Sequence, residues 1–282
     1  GTFTNPELRE SRRARAARLR LADAVVAQRA QSWTPFPLRT APAGESQPTL
    51  DLTGQGKQPW PEHDELVEIR AEMTEAIRRL YAKCFAGVNI DLANPVQIID
   101  DLIELLERDP GRFPEIALGI PQHTGYLPDQ VFTTTALCLV TAARRGWSSR
   151  DVKLAGLSGL FADLGMLTVP DDALTAQRTL TDIELNYVWR HTTASVVLTE
   201  SIQGLPEVVR RAVYQHHERG GAAGYPNRTD THEISDLAHV VAACDALAAA
   251  TAPRAYKPGK MPFHALRELI DLASQGLYDK AS

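Results

Sequence analysis

The chain has 282 residues, 44% of them hydrophobic, so it is long enough to bury a substantial core in one or two domains. Its formal net charge of -5 excludes the general excess of Lys and Arg that attracts DNA or an anionic membrane surface. No apolar run approaches the ~18 residues of a membrane span, and no signal peptide with a long apolar centre is visible. We therefore expect a cytoplasmic globular protein that neither binds DNA nor spans a membrane.

The first 60 residues are predicted to form an arm. Residues 8–30 are rich in Ala and Arg, which favours a helix with a positive surface. Five prolines between positions 31 and 60 block regular helix and favour an extended segment, in which Trp33, Phe36 and Trp60 could pack on the body. We thus predict a helix and Pro-rich arm at 1–60 and a helical domain at 61–282.

The body is predicted to be helical almost throughout. One face of a helix over 62–85 carries apolar residues at steps of four and three: Ile69, Met73, Ile77, Leu80 and Cys84. Asn94 before Pro95 fits an N-cap with proline at the first helical position, in a helix that should end before position 110. Thr181 with Glu184 is a capping-box signature for the helix that carries His191. Alternating β patterns of useful length are absent, so the fold class is all-α.

Three widely spaced cysteines form no CxxC pair. They are Cys84, Cys138 and Cys244, and each lies in a stretch of helical character. Free, buried thiols in a reducing compartment are therefore expected.

Five side chains suit a divalent metal that activates water: Asp163, His191, His216, His217 and Asp245. Asp163 lies among apolar residues, where an ionised carboxylate is costly unless it is paired or bound to a cation. His216 continues a core-facing stripe, and His217 is rotated from it by about 100°. Gly220 and Gly221 are expected to end this helix, so that both imidazoles reach one ion. Taken singly, a histidine on an apolar face is more often a hydrogen-bonded core residue than a ligand, and a buried aspartate is frequently an N-cap or an ion-pair partner.

The order of these residues resembles the C-terminal half of the HD-GYP domain, a bacterial branch of the HD phosphohydrolase superfamily. The matching residues, without gaps, are His216, His217, Glu218, Arg219, Gly224, Tyr225, Pro226, Ile234, Asp245, Arg254, Tyr256, Lys257 and Pro258. His191 also follows Glu184 by seven residues, the family's interval. The resemblance implies an all-α HD-domain helical bundle with two or three metal ions, commonly iron or manganese, that hydrolyses cyclic di-GMP.

This sequence departs from the family at three functional positions, and also in the segment 220–223 and the loop 227–233. The family has a histidine before the aspartate and a lysine after the glycine, where this chain has Ala162 and Met166, and Gln130 stands in place of the first histidine. One metal position therefore keeps only Asp163 and Asp245, and is expected to be empty or very weak. The neighbouring position should bind one ion (Fe, Mn or Zn) through the remaining ligands: Asp163, His191, His216 and His217.

The resemblance also implies binding residues. Arg254 and Lys257 match a basic pair that contacts a phosphate, and Tyr225 could stack on or border a guanine base. The Gly224 to Pro226 loop matches a surface that contacts protein partners, including diguanylate cyclases. Cyclic di-GMP or a related dinucleotide is thus the expected ligand.

Three hypotheses follow. The first is a catalytically impaired HD-GYP domain, a pseudo-enzyme that acts by nucleotide or protein binding, in which Asp163 retains only a residual catalytic role. The second is an active phosphodiesterase that uses a reduced metal centre, or recruits Gln130 as a weak oxygen ligand. The third is a helical scaffold whose histidines are relics.

Overall fold

The computed structural model describes residues 48–119, 126–252 and 259–275. Within these ranges the fold is all-α, as predicted, and the only paired strands are two-residue segments that run parallel, with Ile90 opposite Ile202. The elements in chain order are α1 (His63–Phe85), β1 (Ile90–Asp91), α2 (Ala93–Arg108), α3 (Phe113–Ala117), α4 (Tyr126–Arg144), α5 (Ser149–Ala162), α6 (Asp171–Leu174), α7 (Asp182–Trp189), α8 (His191–Leu198), β2 (Ile202–Gln203), α9 (Glu207–Gln215), α10 (Asp236–Thr251) and α11 (Pro262–Ser274). Within the described ranges, no helix is both long enough and apolar enough to cross a lipid bilayer.

Helix α5 lies at the centre of the bundle. It packs against α2, α4, α9 and α10, and its side chains from Val152 to Ala162 are buried with few exceptions. Ser148 caps the helix by accepting a hydrogen bond from the Asp151 backbone N–H at 3.1 Å. Asp163 directly follows α5. Because the neighbouring helices enclose α5, Asp163 lies in the interior and is only 7% exposed.

The first helix has the predicted bounds to within one residue, and Ile77, Leu80 and Cys84 of the predicted face are buried. Ile69 and Met73 are half-buried against the core, and the buried face also includes Arg70 and Thr74. The guanidinium of Arg70 can turn inward because it finds polar partners there. The apolar pattern alone could not reveal such a buried cation.

The predicted N-cap of the second helix is wrong. Helix α2 begins at Ala93, and the Asp91 carboxylate accepts a hydrogen bond from the Ala93 N–H at 2.8 Å. Asn94 instead donates its side-chain amide to the Asp91 carbonyl at 3.2 Å. The predicted end, before position 110, is confirmed, since α2 stops at Arg108.

The capping box of Thr181 and Glu184 is confirmed. It opens α7, however, and His191 begins the next helix, α8, after a break at Arg190. Helix α9 ends at Gln215, so Gly220 and Gly221 are not its terminator as expected. The three cysteines are free and buried, as predicted.

The predicted arm falls largely outside the described residues, since Trp33 and Phe36 lie within the first 47 positions. The described chain contacts the body at position 48, where the Ser149 N–H donates to the Pro48 carbonyl at 2.8 Å. Trp60 packs against the core, with the Arg112 guanidinium 5.6 Å from its ring centroid. The boundary at position 60 stays a prediction.

A buried guanidinium ties three helices together. Arg70 of α1 is 4% exposed and donates to the Ile116 carbonyl at 2.6 Å and the Ala117 carbonyl at 3.1 Å, at the end of α3. It also donates to the Thr133 hydroxyl of α4 at 3.1 Å and lies 3.5 Å from the Asp129 carboxylate. Because α4 carries Gln130, this network fixes the start of a helix that reaches the functional site.

We expect Arg70→Ala to lower the free energy of unfolding by about 3–5 kcal/mol, since it leaves a buried carboxylate and two carbonyls without their charged donor. Urea denaturation followed by circular dichroism measures this loss. The matched control is Arg79→Ala on the same helix, whose side chain is 64% exposed and 3.9 Å from Glu75. That change should cost less than about 1 kcal/mol. Equal losses for the two variants would contradict the role assigned to Arg70.

Candidate metal centre

Four side chains from separate parts of the chain meet in one cluster. Asp163 follows α5, His191 begins α8, and His216 and His217 follow α9. Each offers one ligand atom, and these atoms all lie within 4.8 Å of one another. Four of the five predicted metal ligands thus come together, and they have the donor chemistry of a divalent metal site.

Two of the imidazoles are oriented by backbone carbonyls. His191 Nδ1 lies 2.6 Å from the Val188 carbonyl oxygen, and His216 Nδ1 lies 2.7 Å from that of Val213. A carbonyl oxygen only accepts hydrogen bonds, so each Nδ1 carries the hydrogen and each Nε2 presents a lone pair. The same arrangement orients metal-ligating histidines in general.

The two Nε2 lone pairs face each other. The nitrogens of His191 and His216 are 3.3 Å apart, and His191 Nε2 is 3.5 Å from Asp163 Oδ1. Two facing acceptors beside a carboxylate have no hydrogen to share and repel one another. A cation bound by these atoms removes the repulsion, so the donor set fits a metal ion.

The cluster imidazoles are held neutral. Burial lowers the pKa of His191 from 6.5 to about 4. Burial lowers the pKa of His216 and His217 well below the usual value, and the neighbouring imidazoles and Arg219 lower it further. Neutral imidazole is the form that binds metals, so these ligands are ready at neutral pH.

A serine holds the turn that carries Asp163. The Ser195 hydroxyl donates to the Ala162 carbonyl at 2.8 Å and accepts from the Gly165 N–H at 2.7 Å. A Cβ at Gly165 would lie 2.0 Å from the His191 carbonyl oxygen, so only glycine lets the turn approach α8 this closely. Sequence reasoning missed Ser195, because nothing in its local pattern marks it.

The Gly224 to Pro226 loop folds back over the cluster. The buried Glu218 carboxylate accepts hydrogen bonds from the Asn227 N–H at 2.7 Å and the Thr229 N–H at 2.9 Å. Glu218 therefore ties the loop to the histidine pair. In the sequence, Glu218 was identified only as part of the matching motif. These two hydrogen bonds show that it holds the loop in place.

Aromatic rings line the same side of the cluster. The Tyr225 ring stacks on His217 with centroids 4.7 Å apart and an angle of 25°. Trp189 lies 5.9 Å from Tyr225 and is 48% exposed. Gly224 permits this contact, because a Cβ there would lie 2.3 Å from the His217 carbonyl oxygen. The loop thus presents flat, partly exposed rings next to the imidazoles.

The fifth predicted ligand is held beside the cluster by a glutamine. One nitrogen, Gln130 Nε2, donates to Asp163 Oδ2 at 3.0 Å and to Asp245 Oδ1 at 2.9 Å. All three side chains are at least nine-tenths buried. Ala162 is also buried and contributes only a methyl group. The remaining predicted contacts, Arg254 and Lys257, lie outside the described residues.

The low pKa of His191 predicts a loss of stability in acid for the metal-free protein. The unfolded chain takes up a proton near pH 6.5 that folded His191 refuses until about pH 4, so falling pH favours unfolding within this window. We expect His191 alone to remove about 2 kcal/mol between pH 7.5 and pH 5. Urea denaturation in the presence of chelator at stepwise pH measures the slope.

His191→Gln should make this slope shallower by the share of His191, while His216 and His217 keep theirs. His264→Gln, at an exposed position of α11, should leave the slope unchanged. An unchanged slope in His191→Gln would show that the acid sensitivity arises elsewhere.

Known proteins match the chain over most of its length. The family model described as HD domain matches residues 102–281. Cyclic di-GMP phosphodiesterase PA4108 of Pseudomonas aeruginosa is 28% identical over 232 residues, which are 82% of this chain and 54% of the relative. The 3'3'-cGAMP-specific phosphodiesterase 2 of Vibrio cholerae is 22% identical over 68% of this chain and 36% of the relative. The chain thus spans only about a third to a half of these two proteins. It belongs to the HD domain family, as the resemblance to HD-GYP phosphohydrolases predicted.

Proposed function

We propose that this chain is a signalling domain of the cyclic di-GMP phosphodiesterase type that binds a cyclic dinucleotide at a one-ion centre and hydrolyses it weakly or not at all. Relatives named for cyclic di-GMP and 3'3'-cGAMP hydrolysis support the substrate class. The observation that carries the proposal is the facing pair of imidazole nitrogens beside Asp163, with Gln130 bridging Asp163 to Asp245.

One divalent ion suits the cluster. Asp163, His191, His216 and His217 would hold it, and three neutral imidazoles with one carboxylate suit Fe, Mn or Zn. The chemistry that such an ion supplies when bound is Lewis-acid stabilisation of negative charge on a phosphodiester. The second ion position of the family would be empty, because imidazole is missing at both 130 and 162.

Hydrolysis is expected to suffer from the loss of positive charge. A methyl group at Ala162, a thioether at Met166 and a neutral amide at Gln130 replace groups that would bind or supply cations. Each lost charge-stabilising contact slows such a reaction by ~10²-fold or more. Binding needs less charge than catalysis, so recognition of the dinucleotide can persist.

The ligand-facing surface is proposed to combine rings and basic groups. Tyr225, which stacks on His217, would border a guanine base, since aromatic faces are effective platforms for bases. Arg254 and Lys257 would contact phosphate, a role that rests on the family resemblance. The Gly224 to Pro226 loop would also serve a protein partner such as a diguanylate cyclase.

The alternative is an active phosphodiesterase with a reduced metal centre. The observation that favours it is the survival of four ligands in one cluster. A helical scaffold without ligand is the third reading.

Purified protein loaded with Fe²⁺ or Mn²⁺ should bind cyclic di-GMP or 3'3'-cGAMP in calorimetry without forming linear product. His191→Ala should lose binding of both metal and dinucleotide, and His264→Ala should retain both. Product formation at ordinary enzyme concentration would establish the active alternative. A protein that takes up neither ion nor dinucleotide would leave only the scaffold.

A further inference from the structure

Two buried carboxylates share one neutral donor beside the imidazole cluster. Gln130 Nε2 lies 3.0 Å from Asp163 Oδ2 and 2.9 Å from Asp245 Oδ1, so each of its two hydrogens serves a different carboxylate. The three residues are 6–7% exposed. From this geometry we propose that the Gln130 amide takes the place of a cation between the two carboxylates and thereby limits the centre to one ion. The proposal deepens the one-ion part of the proposed function.

The amide has only one workable orientation while no ion is present. If it turned over, the carbonyl oxygen Oε1 would face two carboxylate oxygens, and three acceptors would meet with no hydrogen among them. In the observed orientation Oε1 is buried and has no hydrogen-bond partner among the described residues. A buried amide oxygen left unpaired costs stability. The side chain therefore leaves Oε1 without a hydrogen bond while its NH₂ group donates two. Hydrogen bonds to ionised carboxylates are stronger than those between neutral groups.

The backbone of Gln130 is fixed by its neighbours. Asp129 is paired with the buried Arg70 guanidinium at 3.5 Å, and Thr133, one turn later, accepts from the same guanidinium at 3.1 Å. The amide is thus held in place by the adjacent helix contacts. A cation that entered between Asp163 and Asp245 would have to break both hydrogen bonds, either by displacing the amide or by turning it over.

Removal of the amide should make the protein depend on cations. In Gln130→Ala, the carboxylates of Asp163 and Asp245 lose their shared donor and repel one another. We expect its melting temperature in chelator to fall by about 5 °C or more, and to recover with millimolar Mg²⁺ or Ca²⁺, which prefer oxygen ligands. The wild-type melting temperature should not respond to these two ions. In calorimetry with Mn²⁺, wild type should bind one ion per chain, and the variant should bind a second, weaker ion through the two carboxylates, because imidazole is still missing at 130 and 162.

Thr135→Ala is the matched control on the same helix. Its buried hydroxyl donates to the Val131 carbonyl at 2.7 Å and is not part of the hydrogen bonds between Gln130 and the two carboxylates, so this loss should not be recovered by any cation. Adding Asp245→Asn to Gln130→Ala should abolish the recovery. Should Gln130→Ala not fold, the isosteric Gln130→Glu supplies a third carboxylate and should fold only with the cation.

Two ions in the wild-type protein would overturn the proposal. A Gln130→Ala variant whose melting temperature rises no more with added cation than that of Thr135→Ala would also overturn it. The same holds for a Gln130→Glu variant whose folding does not depend on cations. None of these measurements contains a nucleotide. Their failure therefore leaves dinucleotide binding standing, and a failure to bind dinucleotide leaves the role of Gln130 standing.

Discussion

The buried carboxylate of Asp163 is the constraint around which the centre is arranged. Helix α5 is enclosed by its neighbours, so the residue after it enters a low-dielectric interior, where an unpaired charge is very costly. Compensation comes from the Gln130 amide at 3.0 Å, whereas the lone pair of His191 Nε2, 3.5 Å from the carboxylate, adds a repulsion that a bound cation removes. Ser195 holds the turn in place, because its hydroxyl bonds the backbone on both sides of the aspartate.

The imidazoles owe their orientation to helix ends. Val188 and Val213 lie in the last turns of α7 and α9, where backbone carbonyls lack partners within the helix. The Nδ1–H groups of His191 and His216 satisfy those carbonyls and leave each Nε2 directed at its counterpart. The same hydrogen bond therefore caps a helix end and orients a ligand. This explains why each of the two histidines follows the end of a helix.

Features that depend on a local pattern, or on the order of residues along the chain, could be predicted from the sequence. The capping box at Thr181 was readable because its two residues are three positions apart, and the ligand order was readable from the family motif. Contacts between distant residues were not. Gln130 meets Asp245 across 115 positions, and Ser195 meets Ala162 across 33. The end of α9 was misplaced for the same reason, since the glycines suggested a stop while the fold ended the helix at Gln215.

At the proposed one-ion centre, charge balance would favour recognition of the ligand over its hydrolysis. A single divalent ion with the carboxylates of Asp163 and Asp245 is formally neutral, whereas a second ion would leave a net positive centre. Under the proposed function, a dianionic cyclic dinucleotide would stack on half-buried rings such as Tyr225, and the ion would supply charge for its phosphate. The transition state of hydrolysis carries additional negative charge at the reacting phosphate, and stabilising that charge requires positive charge that Gln130, being neutral, does not supply. Replacing a cation by an amide would therefore reduce the stabilisation of the transition state more than it reduces the affinity for the bound ligand.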